Sequence, residues 1–339
     1  MINHLKHLRI FVLLTILAAC SDDNDQVELP TQEVIFLKGD TTYPEGISIN
    51  PITGELYVTG YGDGSVQKVS NDHSSSYLIE PGTYGNFQNV GIELDISRNR
   101  MWVCQIHFST GLSRISIFSL EGELEKTIDV PETSFPHFLN DVIVDDDGNA
   151  YVTDSFGPQI WKVPVDLSEM SIWVSDERFI NSFDFFNLNG LTFTPDNKYI
   201  IATSDDIGGE GDLFRIDLST KEVLAVEVEA ESFSGFFFGG DGIVFENNQN
   251  LLLFSYFQGI TRANFSNDYS SCTVTKADQH SELFADYVAD FPTTGKTYNG
   301  DLYLVLGQLD HIVPGLDEND YGKLPEPFYL VKTPLTLIQ

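Results

Sequence analysis

The sequence predicts an all-β fold, a six-bladed β-propeller whose N-terminal strand closes the last blade. Three observations carry this. A phrase recurs six times at a spacing of about fifty residues, the range of propeller blades. Short runs of β-branched and aromatic residues alternate with turns rich in Asn, Asp, Gly and Pro. Sustained helical periodicity is absent.

The phrases are PEGISINPITGELYVTGYGDGSVQKV from Pro44, NVGIELDISRNRMWVCQI from Asn89 and LNDVIVDDDGNAYVTDSFGPQIWKV from Leu139, followed by LNGLTFTPDNKYIIATSDD from Leu188, GDGIVFENNQNLLLFSYFQGITRA from Gly240 and PTTGKTYNGDLYLVLGQ from Pro292. Each holds an apolar strand, a polar turn and a second strand. This pattern suits radial repetition of small antiparallel sheets rather than a parallel sheet with crossover helices. Each blade has four strands, running from the channel outward. Blade six lacks a strand after FYLVKTPL, and EVIFLKG from Glu33 precedes blade one without a blade of its own. The N-terminal strand therefore completes blade six and removes two open edges. Cys104 in blade two and Cys272 in blade five fall on opposite sides of such a ring and read as buried free thiols.

Ahead of the propeller, MINHLKHLRIFVLLTILAAC has basic residues, an apolar run too short to span a bilayer, and small residues before a cysteine. Residues 1–19 read as a secretory signal. Leu17-Ala18-Ala19-Cys20 resembles the bacterial lipobox, which implies cleavage before Cys20, lipidation of that residue, and an exported lipoprotein anchored by lipid to the outer membrane. Residues 20–32 read as a polar tether and residues 33–339 as the propeller.

With 18 basic and 51 acidic residues, the formal net charge is −33. That excludes charge-driven binding of nucleic acid or of an anionic membrane surface, for which Lys and Arg are too few. It permits cations and neutral small-molecule substrates.

Aligning the phrases on their first strands places Glu45, Val90, Asn140, Asn189, Asp241 and Thr293 in equivalent positions. Because inner strands line the channel, these residues should converge at one mouth. Taken singly, each Asn or Asp is an ordinary turn residue; their equivalence across blades points to shared work. Two carboxylates, two amides and a hydroxyl suit a hard cation, Ca²⁺ above all or else Mg²⁺ or Mn²⁺, and the ring has no Cys or His to favour zinc or copper. Two carboxylates buried together without a cation would repel.

The phrases YPEGI, FLNDVIVDDDGNAYVTDS, NGLTFTPDNKYI, GDGIVF and FPTTGKTYNGDLYLV resemble the senescence-marker-protein/gluconolactonase family of six-bladed propellers, related to diisopropyl-fluorophosphatase and paraoxonase. The resemblance covers about Val34 to Leu335. It implies a catalytic calcium held by Glu45, Asn140, Asn189 and Asp241, an order most like that of diisopropyl-fluorophosphatase. Departures exist: Val90 adds no polar contact, Thr293 stands where some relatives place a His near the calcium, and an Arg that binds sugar-acid carboxylates in some gluconolactonases has no counterpart.

The loops returning to the same mouth should form the pocket. They include TGYGDG near Tyr61, TDSFGPQ with Asp154, TSDDIGGEGD, and a long segment after Gln308 read as a lid. Two more, ERFINSFDFFNLN and ESFSGFFFGGDG, hold eight phenylalanines: 179, 183, 185, 186, 233, 236, 237 and 238. They read either as an apolar pocket around the metal, with Phe185, Phe237, Thr293 and Asp154 as substrate contacts, or as packing over blade seams. His137 is a further candidate base. The expected function is calcium-dependent hydrolysis of lactones or esters with an apolar portion. Asp241 would act as nucleophile or base, and Asp141 would support Asn140 from behind. Two alternatives are a non-enzymatic propeller that binds a ligand or partner around a structural calcium, and a lyase.

Overall fold

The structure is a computed structural model and describes residues 32–132, 136–180, 186–204, 212–230, 240–255, 259–278, 292–309 and 327–338. The signal, Cys20 and most of the tether lie outside the described residues.

The chain from residue 32 onward forms six small sheets. Strand β1 (Glu33–Phe36) comes first. Blade one is β2 (Pro44–Ile49), β3 (Leu56–Gly60), β4 (Val66–Val69) and β5 (Ser75–Ile79). Blade two is β6 (Gln88–Asp95), β7 (Arg100–His107), β8 (Leu112–Ser119) and β9 (Leu124–Asp129). Blade three is β10 (Leu139–Val144), β11 (Ala150–Asp154), β12 (Gln159–Val163) and β13 (Ser171–Ser175). Blade four is β14 (Leu188–Phe193), β15 (Tyr199–Ser204), β16 (Asp212–Asp217) and β17 (Val223–Ala225). Next come β18 (Glu227–Ala230) and the blade-five strands β19 (Ile243–Phe245), β20 (Asn250–Ser255), β21 (Gly259–Phe265) and β22 (Ser271–Asp278). Blade six is β23 (Pro292–Tyr298), β24 (Asp301–Leu306) and β25 (Tyr329–Pro334).

The expected closure is present. Strand β1 pairs antiparallel with β25, from Glu33 opposite Lys332 to Phe36 opposite Tyr329, so the first described strand completes the last blade. Blade five differs from expectation, because β18 adds a fifth strand parallel to β22, with Glu227 opposite Ser271. Only Val226 separates β18 from the three-residue β17, so the chain leaves blade four early and covers the free edge of its neighbour.

Six apolar clusters fill the seams between successive blades. Trp102 and Trp161 pack between blades two and three, and Phe179 and Phe214 between three and four. Tyr43 and Phe328 pack between six and one. Cys104 in β7 and Cys272 in β22 are buried free thiols in separate sheets. Burial pushes both thiols up, Cys272 to about 12.

Around the channel, polar bonds link each blade to the next. Thr59 Oγ1 donates to Val90 O (2.6 Å) and Leu139 N to Ser113 Oγ (2.9 Å). Thr153 Oγ1 donates to Asn189 O (2.7 Å) and Gly190 N to Asp241 O (2.8 Å). Gly242 N donates to Thr293 O (2.7 Å), and Thr293 Oγ1 closes the circle on Glu45 O (2.9 Å). Every link touches an inner strand at or beside a ring position, so the bonds that join the blades also fix the backbone carrying the candidate ligands. The approach is close: a Cβ on Gly91 would lie 2.4 Å from Asn140 O, and one on Gly190 2.3 Å from Asp241 O. Only glycine fits at either place.

Candidate metal and substrate site

Five of the six inner strands carry a pairing irregularity where they start. The register shifts between Pro44 and Ile47, Asn89 and Ile92, Leu139 and Val142, Leu188 and Leu191, and Pro292 and Thr294. A bulge bends the strand and re-aims a side chain. Glu45, Asn140 and Asn189 fall inside three of these bulges. Asp241 occupies the matching place just before β19.

The structure brings all four predicted ligands together. Glu45, Asn140, Asn189 and Asp241 line one small cavity, together with Asp141, Thr294 and Lys296. Glu45, Asn140 and Asn189 are buried. The Asn140 amide is oriented by its neighbour: Ser155 Oγ donates to Leu188 O (2.5 Å) and accepts from Asn140 Nδ2 (2.9 Å), which leaves Asn140 Oδ1 for the cavity.

Asp141 braces the site. Its carboxylate accepts from Val142 N (2.8 Å) in its own strand and from Leu191 N (3.2 Å) in blade four, tying the strand of Asn140 to that of Asn189. Burial lifts its pKa to about 6, against the pull of Lys296 and of those two amides. Glu45 is held well above the usual carboxylate range by burial and by the nearby Asp241 and Asp141 carboxylates.

Deeper on the inner strands lies a charge pair that the sequence reading did not single out. Lys296 Nζ sits 3.0 Å from Glu93 Oε2, and Glu93 Oε1 accepts from Ser48 Oγ (3.1 Å). Burial disfavours the ammonium charge, but Glu93 and Asp141 outweigh it and raise Lys296 above its ordinary value. The signal was available: Glu93 in GIELDI and Lys296 in TTGKTY are charges inside inner strands, where solvent does not explain them.

Three expectations are corrected. Asp154 was placed at the pocket, but it is fully buried. Its carboxylate accepts from Phe138 N (3.0 Å), Phe156 N (3.3 Å), Gln159 Nε2 (3.3 Å) and Trp161 Nε1 (3.0 Å), and His137 Nδ1 lies 2.6 Å from it. It anchors the loop beside Asn140 and has no face turned to a ligand. Thr293 spends its hydroxyl on Glu45 O, and its neighbour Thr294 lines the cavity instead. Phe179 packs against Phe214 in a blade seam, ring centroids 4.9 Å apart. Phe185, Phe237 and the segment after residue 309 lie outside the described residues.

The donor set fits a hard divalent cation: two carboxylates and two amide oxygens from four blades, converging on one cavity. Among the described residues no three His, Cys, Asp or Glu side chains form a group that could hold a metal ion. The acidity shifts give a stability prediction. Asp141 and Glu45, both raised, keep protons in the folded protein at pH values where the unfolded chain has lost them. The contribution of Asp141 is complete below about pH 4 and is lost as pH rises through about 6, and that of Glu45 is lost in the same direction. In chelator, the melting temperature should therefore fall from pH 5 to pH 7.5. Calcium should raise it more at pH 7.5 than at pH 5, where it must displace protons. A calcium effect that is independent of pH would contradict this.

Neither a protein-family model nor a curated protein matches the sequence. Solved structures share the fold. The chain superposes on the major Malassezia sympodialis allergen Mala s 1 with TM-score 0.67 at 18% identity, covering 90% of this chain and 96% of that one. A gluconolactonase from Xanthomonas campestris gives 0.60 at 14%, with 89% of each chain covered. A virginiamycin B lyase from Staphylococcus aureus gives 0.56 at 14%, covering 81% and 82%. At these identities the likeness is one of fold: the chain is a six-bladed propeller similar to gluconolactonases, a lyase and an allergen.

Proposed function

We propose that the protein is a calcium-dependent hydrolase of small esters or lactones. One observation carries the reading: four oxygen donors from four blades, with Asp241 among them, line a single cavity. The gluconolactonase among the structural neighbours supports it.

Glu45, Asn140, Asn189 and Asp241 would hold the cation. When bound, it supplies a Lewis acid that polarises the scissile carbonyl. Asp241 takes a proton from a water whose oxygen adds to the carbonyl carbon. The acyl C–O bond then breaks, and the proton passes to the departing alkoxide oxygen. Asn140 presents Oδ1 because Ser155 holds its Nδ2, and Asp141 keeps the strands of Asn140 and Asn189 in register. The Lys296–Glu93 pair sets one positive charge against the carboxylates lower in the channel.

The test is metal removal. Ester and lactone hydrolysis, followed by pH-stat, should vanish in EGTA and return with calcium. Turnover that is indifferent to EGTA would overturn the reading. Calcium binding without turnover on any ester or lactone would favour the ligand-binding alternative.

A further inference from the structure

The bulk of the predicted phenylalanine loops is outside the described residues, yet an aromatic arc runs past the same strand ends that carry the oxygen ring. Tyr61 and Phe108 are 6.1 Å apart by ring centroids, Phe108 and Phe138 5.8 Å, Phe138 and Phe186 4.9 Å, Phe138 and Phe156 5.4 Å, and Phe156 and Phe186 5.4 Å. Five rings thus run without a break across blades one to four.

The strand pairings place the arc on the ligand side of the propeller. Gly60 pairs with Pro44, next to Glu45, and Tyr61 is the following residue. Phe108 follows His107, past the end of β7 that pairs with the start of β6. Leu139 pairs with Asp154, so Phe138 and Phe156 both lie beyond that end of blade three, and Phe138 is two residues from Asn140. Phe186 is three residues ahead of Asn189.

Phe138 is buried in the seam between blades two and three, and Tyr61, Phe156 and Phe186 pack against that seam while staying partly exposed; core packing does not account for Phe108, 45% exposed, or for Leu112 across the same loop, 41% exposed. Among the described residues, the other large exposed apolar side chains are aliphatic apart from Phe36. The surroundings argue against an anionic occupant. The ring holds two carboxylates and the chain carries a net charge of −33, so an anion is repelled and a neutral ring is not. Edge-on and tilted contacts are the geometry in which these rings already sit, one that a further aromatic ring can join.

We propose that Tyr61, Phe108, Phe156 and Phe186 form a subsite for the aromatic portion of a neutral ester or lactone, whose carbonyl reaches the oxygen ring. The ester part of this statement rests on the hydrolase reading; the aromatic subsite does not. Phe108 is the residue to change, because its exposure leaves the fold little dependent on it.

The test uses the whole chain with calcium, in two arms. In the first, 2-naphthol, which cannot be hydrolysed, is titrated by calorimetry into wild type, Phe108→Ser and Phe186→Ala. Binding to wild type that weakens about tenfold in Phe108→Ser, equivalent to about 1.4 kcal/mol, is the expected result. No binding to wild type, or equal binding by wild type and Phe108→Ser, overturns the subsite. In the second arm, kcat/KM is compared for 2-naphthyl acetate and ethyl acetate. Phe108→Ser should lose about tenfold on the aryl ester and stay within about twofold on ethyl acetate; an equal loss on both overturns the proposal. If wild type hydrolyses neither ester, the hydrolase reading falls and the naphthol arm alone decides the subsite.

Discussion

Asp241→Asn is expected to lower ester hydrolysis by about 10²–10⁴-fold, the usual contribution of a positioned general base, while leaving the fold in place. Asparagine keeps the shape and one oxygen of the side chain but removes the charge that takes the proton. The backbone at this position is independently held, with Asp241 N donating to Phe254 O (2.7 Å) and Asp241 O accepting from Gly190 N (2.8 Å). The blades therefore have no reason to part. The measurement is pH-stat turnover of an aryl ester or lactone at saturating calcium, with circular dichroism as the check on folding. Unchanged turnover would remove Asp241 from the chemistry.

Asp154→Ala is expected to damage the fold itself, at a cost of about 3–5 kcal/mol, the range for stripping the partner from a buried charged group. Two backbone amides, the Gln159 amide and the Trp161 indole all donate to this carboxylate, and His137 Nδ1 lies against it. Alanine leaves them without an acceptor in a place water does not reach. Asp154→Asn retains an acceptor and should cost less. Urea unfolding of the two variants checks this, and a change within about 0.5 kcal/mol for Asp154→Ala, typical of an unimportant surface site, would contradict the role assigned here.

The contrast between Asp241 and Asp154 shows what the sequence discloses. Both are acidic residues in turn-like phrases, GDG and VTDS. The repeat places the first at the start of an inner strand and the second at the end of the next strand. Position in the repeat was enough to collect Glu45, Asn140, Asn189 and Asp241, because a propeller converts equivalent positions into a circle. The N-terminal closure was legible for the same reason: blade six lacked a strand and EVIF lacked a blade.

What escaped depends on which way a side chain turns within a blade, and no repeat count supplies that. Asp154 turns inward to its own loop. Thr293 turns to Glu45 O while Thr294 faces the cavity, a one-residue difference made by the bulge between Pro292 and Thr294. Phe179 lies in a seam although its neighbours in sequence looked like pocket lining. The blade-to-blade bonds did leave a trace, since Thr59, Thr153 and Thr203 recur near the end of the second strand in YVTG, YVTD and IATS. Each donates to a carbonyl of the next blade. Strand β18, parallel on the edge of blade five, left none, because AVEVEA reads equally well as the end of blade four.

The central claim is that four side chains from four blades hold one divalent cation, and a calorimetric titration of calcium into the chelator-stripped protein tests it most directly. The account predicts one site per chain, weakened in each of Glu45→Gln, Asn140→Ala and Asn189→Ala. Calcium that fails to bind, or that binds all three variants as tightly as wild type, would contradict it.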